Sequence, residues 1–123
     1  MNEISREQFE ALVRRALDDL PGEFRDRIAN LEVAVEDAAG PEDRARTGTS
    51  GALLGIYRGV PLSRRGAHYN MAVPDRIVIF QRPIERLARD ADELYERVRH
   101  VVRHEIAHYF GISDERLREI DAY

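Results

Sequence analysis

Between Asp92 and Phe110 apolar residues recur every three or four positions, and a glutamate interrupts the stripe they form. At about 100° per residue, Leu94, Val98, Val101, Val102, Ile106 and Tyr109 share one sector of a helix. Glu105 falls inside that sector, between the directions of Leu94 and Val98. An ionised carboxylate on a core-facing side is costly unless it is paired or linked to a metal. His104 and His108 lie on one flank of the same sector, where they can line a cleft rather than the dry core. This stretch therefore predicts a long amphipathic helix and poses a chemical question.

The segment His104-Glu105-Ile106-Ala107-His108 answers it. Histidines at i and i+4 sit on neighbouring turns of one helix face, so both imidazoles can reach a single ion at about 2.0–2.1 Å. The intervening glutamate can then meet water held by that ion, whose acidity zinc raises, and act as its base. His104 and His108 are two of the four histidines in the chain. His100 lies one turn earlier, about 12 Å along the axis from His108, which is too far to share one ion. A catalytic zinc takes three protein ligands and keeps one open position. Gly111 can turn the chain back under the ion and present Asp114 as the third ligand; Glu115, Glu119 and Asp121 are the alternatives downstream. Asp114 also has a purely structural reading, as a first-turn acid after a Ser113 N-cap.

Composition narrows the remaining chemistry. With 123 residues, 43% hydrophobic and 34% charged, the chain suits one domain with a modest core. It has no cysteine, so any metal must be held by nitrogen and oxygen, and neither a disulfide framework nor a cysteine nucleophile is available. All 19 basic residues are arginine, which removes lysine nucleophiles and Schiff bases. A net charge of −4 with arginines interleaved among acids argues against nucleic-acid or anionic-lipid partners. No apolar run approaches the length of a membrane span, and the first residues lack the pattern of a secretory signal. A cytoplasmic, bacterial setting is the expectation.

The rest of the chain reads as α+β, a small sheet with helices packed on it. Ser5-Arg6-Glu7-Gln8 is a capping box for a helix carrying Phe9, Leu12, Val13, Ala16, Leu17 and Leu20, ended by Pro21-Gly22. A short helical piece is expected around Glu23 to Ile28. Leu31 to Val35 alternates as a strand, Ala52 to Arg58 reads as a second, and Arg76 to Gln81 as the strongest third. Residues 38–51 read as a loop, and Gly59 to Asp75 as a long irregular stretch. A short helix is expected after Pro83, up to about Arg89, and another after Ser113. Ile77 to Phe80 is either an edge strand bordering the cleft or an ordinary core strand.

His104-Glu105-x-x-His108-x-x-Gly111-x-x-Asp114 resembles the extended zinc motif of the metzincins, with aspartate in place of the third histidine. Leu53-Leu54-Gly55-Ile56-Tyr57, Gly59-Val60-Pro61-Leu62, Asp75-Arg76-Ile77 with Ile84-Glu85, and Asp114-Glu115-Arg116-Leu117 extend the likeness to the minimal bacterial zincin-like metallopeptidase family. The resemblance implies a zincin-like fold over residues 1–123, zinc held by His104, His108 and Asp114, Glu105 as catalytic base, and a peptide or protein substrate. The methionine turn of metzincins has no counterpart after the motif: Met1 and Met71 both precede it. The alternative expectation is a catalytically weak or inactive zincin-like module that binds or regulates a protein. For the oxyanion, the metal alone, Tyr57, His68 and Tyr69 are the candidates.

Overall fold

Helix α1 (Arg6–Asp18) begins where the sequence places its cap. The Ser5 hydroxyl accepts from the Gln8 N–H at 3.0 Å, and the Gln8 side chain accepts from the Ser5 N–H at 2.9 Å. A computed structural model describes this and the other elements over residues 3–28, 31–47, 53–59, 75–111 and Glu115. After α1 come α2 (Gly22–Arg25), β1 (Glu32–Glu36), α3 (Pro41–Thr47), β2 (Gly55–Arg58), β3 (Arg76–Phe80), α4 (Gln81–Leu87) and α5 (Ala91–Tyr109). The expected helix after Ser113 falls outside the described residues, except for a helical Glu115. No helix among the described residues is long and apolar enough to cross a membrane.

The sheet runs in the order β1-β3-β2, with β1 parallel and β2 antiparallel to β3. β3 is thus the central strand, which decides between the two readings of Ile77 to Phe80. An unbroken apolar run suits a strand covered on both faces. Ile77 and Ile79 turn to one side and join Phe9, Val13 and Ala16 of α1, Ile84 of α4, and Val98, Val102 and Ile106 of α5. Val78 and Phe80 turn to the other side, against Ile56, Ala39 and Leu53. Each fully buried aliphatic side chain of this kind stabilises the fold by about 1.5–3 kcal/mol.

Helix α4 starts at Gln81 rather than after Pro83, which sits in its first turn where a missing N–H is tolerated, and Gln81 leaves β3 for the helix. Residues 41–47 also depart from the sequence reading: they form α3 within a stretch read as loop. Pro41 occupies the first helical position, where its missing N–H costs nothing. The helix is then anchored by Asp43, which is buried and accepts from Arg58 Nη2 at 2.7 and 2.9 Å and from Nε at 3.1 Å. Burial works against the Arg58 charge, but the hydrogen bonds and charge of Asp43 outweigh it and raise the guanidinium above its ordinary value.

A buried polar clamp ties α1, β1 and α4 together. Gln81 is fully buried; its oxygen accepts from Arg6 Nε at 2.9 Å and its nitrogen donates to the Ile4 carbonyl at 3.0 Å. Glu85, also buried, accepts from the Ile4 N–H at 2.9 Å, from Gln81 at 3.3 Å and from Arg82 at 2.8 Å. Arg6 also donates to the Val35 carbonyl at 2.9 Å, close to the end of β1. Glu85→Ala leaves the Ile4 N–H without this acceptor. It should lower the free energy of unfolding by about 2 kcal/mol, against less than about 1 kcal/mol for the exposed pair partner in Arg89→Ala. Urea unfolding of the two variants checks the contrast.

The helix pair α1–α5 has a second polar link, from the Tyr95 hydroxyl to Asp19. Burial, and then the hydrogen bond and charge of Asp19, push the Tyr95 phenol above its ordinary value. A phenol with a folded pKa above its unfolded one stabilises the fold fully below the unfolded value of about 10. That contribution is lost as pH rises through the folded value. Tyr95→Phe should therefore remove from an ultraviolet titration a phenol that ionises above the ordinary range and weaken the loss of stability with alkali; an unchanged titration curve would refute the link.

Candidate metal centre

Helix α5 positions every described residue of the site. The Asp90 side chain caps it by accepting from the Glu93 N–H at 2.8 Å, and Asp92 and Glu93 complement the dipole in its first turn. At the other end the Gly111 N–H donates to the His108 carbonyl at 2.9 Å. Gly111 has φ +83°, the left-handed conformation that ends a helix and that residues with a Cβ seldom adopt. The chain therefore turns three residues past His108.

Along α5 the buried residues are Leu94, Tyr95, Val98, Val101, Val102, Glu105, Ile106 and Tyr109. The carboxylate thus sits in the apolar sector, as the helical period predicts, and Glu105 is only 6% exposed. His104 and His108 are half-buried on its flank. Their ring centroids lie 4.6 Å apart with the planes at 69°. One potential ligand atom from each of His104, Glu105 and His108 falls within 4.8 Å of the others. Glu105 Oε1 is 3.3 Å from His108 Nδ1, and among the described residues this is the one polar group that meets it. His100 is exposed, with its ring centroid 6.4 Å from that of His104, and it does not join the group.

The donor set fits zinc. Two imidazoles and a carboxylate, with no thiolate in the chain, are nitrogen and oxygen donors of the borderline kind that zinc accepts. Glu105 is buried among apolar side chains of α5, a setting in which a carboxylate gains from a nearby cation. Asp114, the expected third ligand, lies outside the described residues, as do Glu119 and Asp121. Glu115 is exposed.

Strand β2 forms the wall beside Glu105. Gly55 and Tyr57 face α5, while Ile56 and Arg58 face the opposite side of the sheet. Tyr57 packs on Tyr109 with ring centroids 6.0 Å apart. The Tyr57 hydroxyl is buried, and a Cβ built on Gly59 would stand 3.0 Å from it. His68 and Tyr69 lie outside the described residues. Sequence reasoning did not single out Gly55 as part of the site. The available signal was a glycine inside a strand pattern, which marks close approach by another element.

A family model described as zincin-like metallopeptidase matches residues 28–123. No curated protein matches the chain. Among solved structures, the chain is similar to a conserved hypothetical protein from Thermo thermophilus, at 22% identity and a TM-score of 0.48, over 89% of this chain and 100% of that one.

If His104 and His108 hold zinc, the ion stabilises the fold through linkage. Free zinc at 100 times its dissociation constant adds about 2.7 kcal/mol, a rise in melting temperature on the order of 10 °C. Scanning calorimetry should show that rise reversed by a chelator in the wild type, and absent in His104→Ala and His108→Ala. An equal rise in both variants would remove the two histidines from the site.

Proposed function

The chain belongs to the zincin-like metallopeptidase family, and on that premise we propose that it is a zinc-dependent peptidase with Glu105 as general base. The observation that carries this reading is the buried carboxylate of Glu105 set between two half-buried histidines on one helix. His104 and His108 would hold the ion, with Asp114 as the third ligand. The left-handed turn at Gly111 supports that choice, because it ends α5 three residues before Asp114. When bound, zinc supplies a Lewis acid that polarises a carbonyl and makes water acidic enough to lose a proton near neutral pH.

The chain's own groups do the rest. Glu105 takes a proton from the attacking water as the carbon–oxygen bond forms. As a carboxylic acid it then delivers that proton to the departing amine while the peptide C–N bond breaks. Apolar neighbours exclude bulk water from this carboxylate, which raises the strength of its interactions with charge developing beside it.

The substrate is an extended peptide lying along β2. Phe80 donates its N–H to the Leu54 carbonyl at 2.9 Å, which makes Leu54 and Phe80 a hydrogen-bonded pair in the antiparallel ladder. By the alternation of such ladders, Ile56 and Arg58 also bond to β3, while Gly55 and Tyr57 direct their N–H and C=O groups away from it. That outer edge has no strand partner among the described residues. A peptide paired with it runs beside Glu105, and its backbone supplies the recognition. The proposal places the protein in the bacterial cytoplasm.

In a second reading the same centre binds zinc but serves a protein-binding or regulatory module. Glu105→Gln separates the two. Under the peptidase reading it keeps one zinc per chain and loses roughly 10²–10⁴-fold in kcat, the usual contribution of a general base. Elemental analysis and cleavage of a peptide library measure both quantities. Full turnover in Glu105→Gln would remove the base assignment, and zinc without hydrolysis in the wild type would favour the module.

A further inference from the structure

Gly55 stands where β2 and α5 come closest to the base. A Cβ built on it would lie 2.8 Å from Val101 Cγ1, 3.2 Å from Glu105 Cγ and 3.2 Å from the Val78 carbonyl oxygen. A real Cβ essentially never approaches another heavy atom within 3.0 Å. The backbone at Gly55 does not have the positive φ seen at Gly59 and Gly111, so glycine is present for space rather than for conformation. Val101 is buried and cannot swing into solvent, and α5 is packed against α1 and β3. The methylene chain of Glu105 thus rests against a bare backbone.

We propose that Gly55 is a positioning residue for the general base: the missing side chain fixes the path of the Glu105 side chain, and with it the aim of the carboxylate. The kinetic part of this proposal rests on the peptidase reading; the geometric part does not. Val101 and Glu105 occupy successive turns of α5 above Gly55. A methyl group wedged between them turns Glu105 towards another rotamer. His104 and His108 lie on the flank of α5, and neither supplies one of the three atoms nearest to a Cβ on Gly55. A base displaced by about 1 Å can cost on the order of 10²-fold in rate.

The test uses the full chain. Gly55→Ala should lower kcat by roughly 10–100-fold, with KM changed by less than about threefold and one zinc still bound per chain. In Gly55→Ala/Val101→Ala the 2.8 Å clash is gone, and the two remaining 3.2 Å contacts, to Glu105 Cγ and to the Val78 carbonyl oxygen, yield with shifts of a few tenths of an ångström. That double variant should recover most of kcat although its melting temperature falls further, an opposition that a merely structural role would not produce. The metal-free protein gives a reading that needs no catalysis. The carboxyl carbon resonance of Glu105, assigned by its loss in Glu105→Gln, should move in Gly55→Ala and return in the double variant, while that of Glu93 stays. An unmoved Glu105 resonance in Gly55→Ala overturns the proposal whatever the protein cleaves. A moved and restored resonance in a protein that hydrolyses no peptide upholds the geometry and defeats the peptidase reading instead. Should Gly55→Ala fail to fold, the double variant decides: a wild-type Glu105 resonance supports the proposal and a displaced one overturns it.

Discussion

A carboxylate held on the buried side of a helix is the constraint around which this chain is arranged. Removing an ion from water costs several kcal/mol unless other charges or hydrogen bonds offset it. Glu105 nevertheless occupies a position in α5 that helical packing would give to an aliphatic residue, with Val101, Val102 and Ile106 buried around it. The two histidines beside it, the glycine across from it and the turn at Gly111 make sense together as the surroundings such a group requires. A surface glutamate would need none of them.

That arrangement was readable in the sequence because it is local. The period of α5, the burial of Glu105 and the flank position of His104 and His108 all follow from spacing within one helix, and the structure reproduces them. The start of α1 followed from a capping box, and the strand β3 from an unbroken apolar run, although its last expected residue, Gln81, opens α4 instead. What depends on contacts distant in sequence was harder to see. Helix α3 is a short segment whose flanks, Gly40 and Gly48-Thr49-Ser50-Gly51, read as loop, and its anchor is the Asp43–Arg58 pair, formed only once β2 is in place. The central position of β3 was left open because an apolar run of four residues does not say what lies on either side. Gly55 showed nothing until α5 was set against β2. The third ligand is the part of the site that the described residues do not reach.

The two faces of the sheet divide the labour. One carries the main core and, at its β2 side, the buried Glu105; the other packs Ile56, Val78 and Phe80 under Ala39 and Leu53, with Asp43 and Arg58 paired alongside. The Gln81–Glu85 clamp then holds the start of α1 to α4 and the end of β1. Packed elements therefore support α5 from α1, α4 and the sheet, so the group on its buried face is held without relying on loops.

Both histidines sit within five consecutive residues of one helix, whereas the glycine that meets the base is fifty positions away. Bringing two side chains of a single turn together closes almost no loop, but bringing β2 to α5 closes a long one. During folding, His104, Glu105 and His108 are therefore brought together by α5 itself, whereas the approach of Gly55 waits until β2 docks against that helix.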